Sequence, residues 1–245
     1  MAALSAAQLI AAWEQGGGLS AAARGWLLLG LTDAPPGDPA MLPLGRRDVL
    51  LLRLRERLFG SRIDSVSACP ACGAAVESSF GSAELLVAEA TAEVPDALDY
   101  RATAQDVHVR FRLPGSEDLL ALERCADLAE ARSALLRRCV LSARIDGEDR
   151  DPLTLPADVQ AGVAAAMAAA DPQADVQLLM ACPACAHAWS PTFDIAAFLW
   201  QELHAWVLRM LRDVDLLARH YHWAEADILA MTPRRRQAYL ELCTS

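Results

Sequence analysis

Apolar residues recur every third or fourth position along most of the chain, which is the spacing of one face of an α-helix. Near the N-terminus this spacing predicts two short helices, over residues 4–14 and 20–31. Three glycines at 16–18 separate them, and Ser20 is placed to cap the second helix. Residues 33–39 are rich in Pro and Gly and predict a turn-rich linker.

Three further amphipathic patterns follow. Residues 46–59 have a leucine-rich face and an arginine-bearing face, and Gly60 is a typical residue for a helix C-terminus. Residues 195–219 form the longest amphipathic stripe. The pattern then predicts a short helix over 224–231 and a last helix that begins at Thr232-Pro233. Both ends of the chain are therefore expected to be helical.

The middle of the chain has a different pattern. Residues 106–113 alternate polar and apolar side chains, as expected of a strand with one buried face. Pro114-Gly115 ends that strand, and Ser116 is expected to cap a helix through Leu122. Two more helices are predicted over residues 131–143 and 157–170. Residues 82–181 are therefore expected to form a mixed, mostly helical insert.

Two cysteine motifs flank this insert. Cys69-Pro-Ala-Cys72 and Cys182-Pro-Ala-Cys185 stand 113 positions apart, and each is followed eight residues later by a phenylalanine, Phe80 or Phe193. Tetrahedral Zn²⁺ binds four thiolates, and two C-x-x-C turns supply four. The sequence therefore predicts one structural zinc site with Cys69, Cys72, Cys182 and Cys185 as ligands.

Three other interpretations of these motifs stay open at this point. Each pair could form a disulfide, or serve as a thioredoxin-like redox motif. The two turns could also bind separate ions, with His187 completing the second site. Cys125, Cys139 and Cys243 lie in predicted helices among apolar neighbours and are interpreted as small buried residues.

The predicted organisation has four parts, and the predicted fold class is mainly α with a small β zinc-ribbon-like module. The parts are a helical region at 1–60, the discontinuous four-cysteine module at 61–81 and 182–194, the insert at 82–181, and a helical region at 195–245.

Composition narrows the class of protein. Apolar residues make up 54% of the 245 residues, the formal net charge is −10, and every basic residue apart from histidine is arginine. An acidic chain is a poor candidate for a dedicated nucleic-acid or membrane-surface binder. Residues 8 and 13–15 interrupt any secretory signal, so a cytoplasmic protein with reduced cysteines is expected.

Catalytic motifs are not recognisable in the chain, and an enzyme is not expected. His220 and His222 are two residues apart and cannot share a helical face, which excludes a helical His-x-x-x-His metal site. Glycines 16–18 are not followed by the Lys-Ser/Thr of a phosphate-binding loop.

Several segments together resemble the baseplate hub assembly chaperone family of contractile-tailed phages and phage-tail-like injection systems. They are residues 9–14 (LIAAWE), 44–60 (LGRRDVLLLRLRERLFG), both CPAC motifs, 193–195 (FDI), 198–200 (FLW), 221–228 (YHWAEADI) and 233–240 (PRRRQAYL). The tail block of residues 222–240 also looks like one shared with small companion proteins of the same loci.

The resemblance implies a non-catalytic role in assembling the baseplate hub, with hub proteins as partners, and a place in the tail particle is compatible with it. We hypothesise that Trp200, Trp223 and Tyr239 form part of the partner surface, since exposed aromatic residues often anchor interfaces. The alternative is a zinc-ribbon nucleic-acid regulator, which the arginines of residues 46–62 and 234–236 could serve.

Overall fold

A computed structural model describes residues 4–33, 38–87, 95–102 and 106–243. The chain divides into two compact units, one formed by Met1–Leu31 with Ala196–Ser245 and the other by Thr32–Ile195. The predicted linker at 33–39 lies mostly outside the described residues.

Most of the described chain is helical. The helices are α1 (Ala6–Gly16), α2 (Ala21–Leu29), α3 (Leu44–Phe59), α4 (Ser116–Leu122), α5 (Leu128–Cys139), α6 (Ala157–Ala170), α7 (Ile195–Tyr221), α8 (Glu225–Leu229) and α9 (Pro233–Cys243). The strands are β1 (Arg62–Ala68), β2 (Ala75–Gly81), β3 (Leu98–Ala102), β4 (Val107–Phe111), β5 (Val140–Ile145), β6 (Glu148–Asp149), β7 (Met180–Ala181) and β8 (Ala188–Trp189).

The first unit, which we call the helical unit, contains α1, α2, α8, α9 and nearly all of α7. The predicted caps at Ser20 and Thr232 are confirmed, whereas α1 begins two residues later than predicted, behind a cap at Ser5, and extends to Gly16. Ser5 and Ser20 accept hydrogen bonds from the backbone N–H groups of Gln8 and Ala23, and the Thr232 hydroxyl accepts one from the N–H of Arg235. Most of the predicted apolar stripe along α7 is buried, namely Leu199, Leu203, Met210, Val214 and Leu217.

The second unit, which we call the sheet unit, is built around an antiparallel sheet with strand order β3-β4-β5-β6. Val107, Val109 and Phe111 of β4 point into a core that Val159 and Val163 of α6 complete. Two separate two-stranded ribbons, β1-β2 and β7-β8, belong to the same unit. The fold is thus mixed α and β with small sheets, and predominantly helical, as the sequence predicts.

The prediction of a helix over residues 131–143 is wrong at its C-terminal end. The helix α5 stops at Cys139, and β5 begins directly at Val140. Residues 140–143 pair with β4, with Phe111 opposite Val140 and Val109 opposite Ala143, so that both pairs share the buried core. Helical spacing alone does not reveal this pairing, because it depends on a strand thirty residues away.

The predicted cap at Ser116 is also wrong. Gly115 is the N-cap of α4, and its N–H donates to the carboxylate of Asp118. Burial opposes ionisation of Asp118, but hydrogen bonds from Arg112, Gly115 and Arg138 outweigh it and lower the pKa of this carboxyl to about 2. The start of α4 is therefore organised by an ionised, fully buried Asp118 and not by a serine hydroxyl.

The three remaining cysteines differ in burial. Cys139 is fully buried, as expected, whereas Cys125 and Cys243 are partly exposed and Cys125 lies just beyond the end of α4. None of the helices within the described ranges is long and apolar enough to cross a membrane.

Candidate metal centre

The first cysteine turn is held by a regular β-ribbon. Strands β1 and β2 pair in an unbroken antiparallel register from Arg62 opposite Gly81 to Ala68 opposite Ala75. Residues 69–74 close this ribbon. The N–H of Cys69 donates to the carbonyl of Ala74, and the N–H of Gly73 donates back to the carbonyl of Cys69. Gly73 has a φ of 74°, which glycine adopts without the penalty that a Cβ brings.

The second cysteine turn repeats the first in its backbone. The N–H of Cys182 donates to the carbonyl of His187, and the N–H of Ala186 donates back to the carbonyl of Cys182. Ala186 occupies the position of Gly73 and has a φ of 60°. The flanking ribbon is much shorter, with Met180 opposite Trp189 and Ala181 opposite Ala188. Identical turns thus close ribbons of very different length.

The two turns bring all four sulfur atoms together. The Sγ atoms of Cys69 and Cys185 are 3.7 Å apart, as are those of Cys72 and Cys182, and all four lie within 4.8 Å of one another. Four sulfurs placed tetrahedrally around Zn²⁺ at 2.3 Å stand about 3.8 Å apart. The cluster therefore has the dimensions of a four-thiolate metal site.

The electrostatics of the four neighbouring cysteines favour binding of a cation. Burial opposes ionisation of Cys182, but the N–H groups of Cys185 and Ala184 hydrogen-bond its sulfur and lower its pKa to about 7. At Cys185 the N–H of His187 acts in the same direction, yet the neighbouring thiols outweigh it and raise its pKa to about 12. Four thiolates this close repel one another unless a divalent cation neutralises them, so metal binding should release protons.

The geometry decides between the interpretations that the sequence left open. All four cysteines are free thiols, so neither motif is closed by a disulfide. Both motifs lie in turns between antiparallel strands, not at the strand-to-helix junction of a thioredoxin-like site. His187 does not belong to the described metal cluster, and its ring stacks on Trp189 at 6.2 Å.

A small apolar cluster packs around the sulfurs. Val76 and Met180, one from each ribbon, are buried together with Cys69 and Cys182. Farther along the ribbons, the paired phenylalanines also meet, because the rings of Phe80 and Phe193 lie 5.9 Å apart, edge to face. The two matching phenylalanines of the sequence are therefore a contact between the halves of the module.

Polar contacts that the sequence did not predict tie the segment before the second cysteine turn to the rest of the sheet unit. Asp171 accepts a hydrogen bond from the N–H of Gly45, in the first turn of α3. The side-chain amide of Gln173 donates to the carbonyl of Leu85 and accepts from the N–H of Val87. Both side chains are nearly inaccessible to solvent. The only signal in the sequence is the Asp171-Pro-Gln173 turn that follows α6.

A buried ion pair lies in the same region of α3. Arg47 and Asp48 contact each other at 2.8 Å and are both buried. Burial is the largest influence on Asp48 and raises its pKa to about 6 against the opposing effect of Arg47. Burial likewise raises the pKa of Asp171, although the N–H of Gly45 and Arg47 lower it. Asp48 and Asp171, two carboxyls whose ionised form is disfavoured, thus lie at or beside the segment that leads to the second cysteine turn.

The arginines considered for nucleic-acid binding are only partly available. Arg47, Arg55 and Arg236 are each less than a tenth exposed. Arg236 approaches Asp213 at 3.8 Å, and Arg55 donates to the carbonyl of Gly60. These contacts remove three guanidinium groups from the surface that a phosphate backbone would need.

The structure separates the three predicted partner residues. Trp200 is buried, with its ring against Gly16 and the guanidinium of Arg24 at 4.8 Å, so it is not available as a surface anchor. Trp223 and Tyr239 are partly exposed, and their rings meet edge to face at 4.8 Å. Trp223 also stacks on Tyr221 at 4.4 Å.

A cleft of about 410 Å³ opens beside Trp223. Its other lining residues are Asp227, Ala230, Met231 and Arg235. This volume falls within the range of about 300–1,000 Å³ that is common for binding pockets. Two of these residues, Asp227 and Arg235, carry opposite charges, and Met231 adds an apolar, adaptable wall.

Comparison with known proteins bears on the sheet unit above all. No curated protein and no solved structure shows significant similarity to the chain. Residues 30–200, however, match the family described as T4 bacteriophage base plate protein. That match spans more than half of the chain and includes both CPAC turns, the sheet and α3. The chain is therefore a member of the T4 bacteriophage base plate protein family.

Proposed function

We propose that this protein is a non-enzymatic, zinc-stabilised scaffold that helps to assemble the baseplate hub of a contractile tail. The observation that carries the proposal is the family match over residues 30–200. It covers the region in which two distant chain segments meet at four sulfurs. A baseplate protein must hold a fixed shape while it contacts several neighbours, and a metal clip between remote segments provides such rigidity.

The chemistry of the cluster supports a structural role. Four thiolates fill the tetrahedral coordination of Zn²⁺ and leave no position for a substrate or an activated water. Catalytic zinc sites keep such a position open. The ion in this proposal therefore stabilises the fold and takes part in no reaction.

The partner surface in this proposal lies on the helical unit at Trp223, Tyr239 and the cleft beside them. Partly buried aromatic rings supply large contact area at a small cost in side-chain entropy. Their mutual packing fixes both rings in place before a partner arrives. Trp200 is not part of this surface, because it is buried.

The proposal is tested by assembling tails in cells that lack this protein and imaging them by electron microscopy. We expect tails without complete baseplates, restored by the wild-type chain but not by a Cys69→Ser/Cys182→Ser variant. Complete, functional baseplates in the absence of the protein would contradict the proposed role. Trp223→Ala/Tyr239→Ala should fold but restore assembly poorly, whereas Trp26→Ala, which removes an exposed tryptophan of α2, serves as a control.

A further inference from the structure

The four-stranded sheet has a second face, directed away from its core. Side chains alternate along a strand, so that His108 and Arg110 of β4 point away from the core that Val109 and Phe111 enter. The strand register extends this outer face to the neighbouring strands. One row across the sheet contains Arg101, His108, Arg144 and Asp149, and the next contains Asp99, Arg110 and Ser142.

The outer face has an excess of one basic residue, three arginines against two aspartates, in an acidic protein. Asp99 contacts His108 at 2.9 Å, and Asp149 contacts Arg144 at 3.0 Å, so both carboxylates already have partners. Arg101 and Arg110 are exposed and form no ion pair with any of the residues that the structure describes. Diagonal neighbours on adjacent strands stand about 7–8 Å apart at their backbones, so these two arginines occupy neighbouring positions on this face. The whole chain, by contrast, carries a net charge of −10.

An irregularity in the sheet adds an apolar residue to this face. Phe111 pairs with Val140 while Arg110 pairs with Ser142, so Leu141 is an extra residue in β5. Leu141 is 53% exposed, although its neighbour Val140 is 8% exposed. A β-bulge of this kind redirects a side chain and is common beside functional surfaces. Here it directs a leucine to solvent beside the strand partner of Arg110.

We propose that this surface, the arginine face formed by Arg101, Arg110, Leu141 and Arg144, docks an acidic segment of a partner protein. Carboxylates of the partner meet Arg101 and Arg110, and an apolar side chain of the partner packs on Leu141. Arginine pairs with carboxylates through two parallel hydrogen bonds, which favours this residue over a simple point charge at interfaces. The inference rests on the proposed function only for the expectation that the partner is a baseplate protein.

Carboxylates fit this face better than a phosphate backbone. Asp99 and Asp149 lie within the same two rows, about 4.8 Å from the basic residues on adjacent strands. A nucleic acid, with closely and regularly spaced phosphates, meets these carboxylates and is repelled. Carboxylates on a flexible protein segment, unlike the phosphates of a stiff duplex, can contact the arginines and turn away from the aspartates. An exposed leucine among arginines also matches the composition of protein interfaces, where Arg and apolar anchors are enriched and acidic residues are depleted.

The test uses the full chain and a labelled 12-residue peptide with repeated Glu-Glu-Leu, followed by fluorescence anisotropy. We expect the Arg101→Gln/Arg110→Gln variant to bind this peptide at least tenfold more weakly than the wild type, and Leu141→Ser to bind it about threefold more weakly. The matched control is Arg212→Gln/Arg234→Gln, which removes two exposed arginines of the helical unit and should bind as the wild type does. A peptide with Gln in place of Glu should not bind. Thermal unfolding of each variant checks that the fold is intact.

Four results would overturn the inference. They are no binding of the Glu-Glu-Leu peptide by the wild type, equal binding by the Arg101→Gln/Arg110→Gln variant, tighter binding of a 12-base-pair DNA duplex that the same variant loses, and a wild-type dimer in sedimentation that the variant loses. The last two would assign the face to nucleic acid or to a second copy of this chain. Because the peptide experiment needs no tail particle, its outcome is independent of whether tails assemble without the protein.

Discussion

The two cysteine turns of the candidate metal centre share one backbone conformation but are supported differently. The first closes a ribbon of seven paired residues, so its own strands hold it in position. The second closes a ribbon of only two regular residue pairs, which an isolated bridge between Gln177 and Thr192 continues. The residues that precede it add contacts to the rest of the sheet unit, above all Asp171 with Gly45 and Gln173 with Leu85 and Val87. Two motifs with the same cysteine ligands can therefore be held in place by different numbers of surrounding contacts.

The largest expected effect on stability follows from replacing one of the four cysteine ligands. Cys69→Ser and Cys182→Ser each leave three thiolates, and we expect both to lose the metal and unfold the four-cysteine module. Structural zinc contributes about 10–16 kcal/mol in small zinc modules. Unfolding can be followed by near-ultraviolet circular dichroism during titration with a chelator. Cys125→Ser is the matched control, because Cys125 lies outside the cluster. A Cys182→Ser variant that keeps both its metal and its fold would show that the turns act separately.

The buried carboxylate near the second turn's support should make stability depend on pH. Asp48 has a pKa of about 6 in the folded protein, against 3.8 for an unperturbed aspartate. Below about pH 4 this carboxyl is protonated in both the folded and the unfolded protein. Above about pH 6 it is ionised in both, and the free energy of unfolding is then about 3 kcal/mol lower. The free energy of unfolding should fall as the pH rises through this window.

The Asp48→Asn variant isolates this contribution, because loss of metal at low pH affects it and the wild type alike. Denaturant unfolding at pH 4, 5, 6 and 7 should show a wild-type-minus-variant difference that declines by up to about 3 kcal/mol across the series. Gln201→Asn, which changes an exposed side chain that does not titrate, should show a constant difference. A constant difference for Asp48→Asn as well would refute the assignment of this pH dependence to Asp48.

The support of the second turn is tested directly by Gly45→Ala. A Cβ at this position collides with the carboxylate of Asp171 and crowds Gln173, and such overpacking costs about 1–3 kcal/mol. We expect weaker metal binding in competition with a chelator, since the displaced segment carries the second turn. Gly18→Ala adds a Cβ into open space and should change neither stability nor affinity. Unchanged metal affinity in Gly45→Ala would mean that the second turn does not need support from Asp171 and Gln173.

The contact between Phe80 and Phe193 should couple the two ribbons more modestly. Edge-to-face aromatic pairs contribute about 0.5–1.5 kcal/mol beyond their burial. A double-mutant cycle with Phe80→Leu and Phe193→Leu, measured by denaturant unfolding with saturating metal, should give a coupling energy of about 1 kcal/mol. Additive effects would show that the rings are neighbours without a specific interaction.

The smallest expected effect concerns one sequence difference inside the turns, Gly73 against Ala186. Ala186 has a left-handed backbone, where a non-glycine residue costs roughly 1 kcal/mol, and Gly73 avoids that cost. We expect Ala186→Gly to raise the free energy of unfolding by up to about 1 kcal/mol and Gly73→Ala to lower it by a similar amount. Changes of the same sign in both variants would disprove the equivalence of the two positions.

Much of the fold follows from local patterns in the sequence. The caps at Ser20 and Thr232, the helix stop at Gly60 and the amphipathic stripe of α7 depend on neighbours within one or two turns. The convergence of all four cysteines on one site is also predictable from the sequence, because a tetrahedral metal ion needs four ligands and two C-x-x-C motifs supply them. The resemblance to baseplate proteins agrees with the family match, at the level of the baseplate.

Features that depend on distant residues could not be predicted. Strand β5 follows α5 without a break, and only its pairing with β4 explains why Val140 leaves the helix. The contact of Gly45 with Asp171 joins positions 126 residues apart, and the burial of Trp200 depends on Gly16. The sequence does not distinguish an aromatic residue that anchors a partner from one that fills a core. This is why the sequence analysis places Trp200 on the partner surface.

The central claim is that one metal ion, bound by two unequally supported turns, holds the sheet unit together. The most direct measurement is metal analysis of the purified protein combined with X-ray absorption spectroscopy at the zinc edge. The account predicts one zinc per chain with four sulfur neighbours at about 2.3 Å. A folded protein without metal, or a zinc shell that contains fewer than four sulfurs, would contradict it.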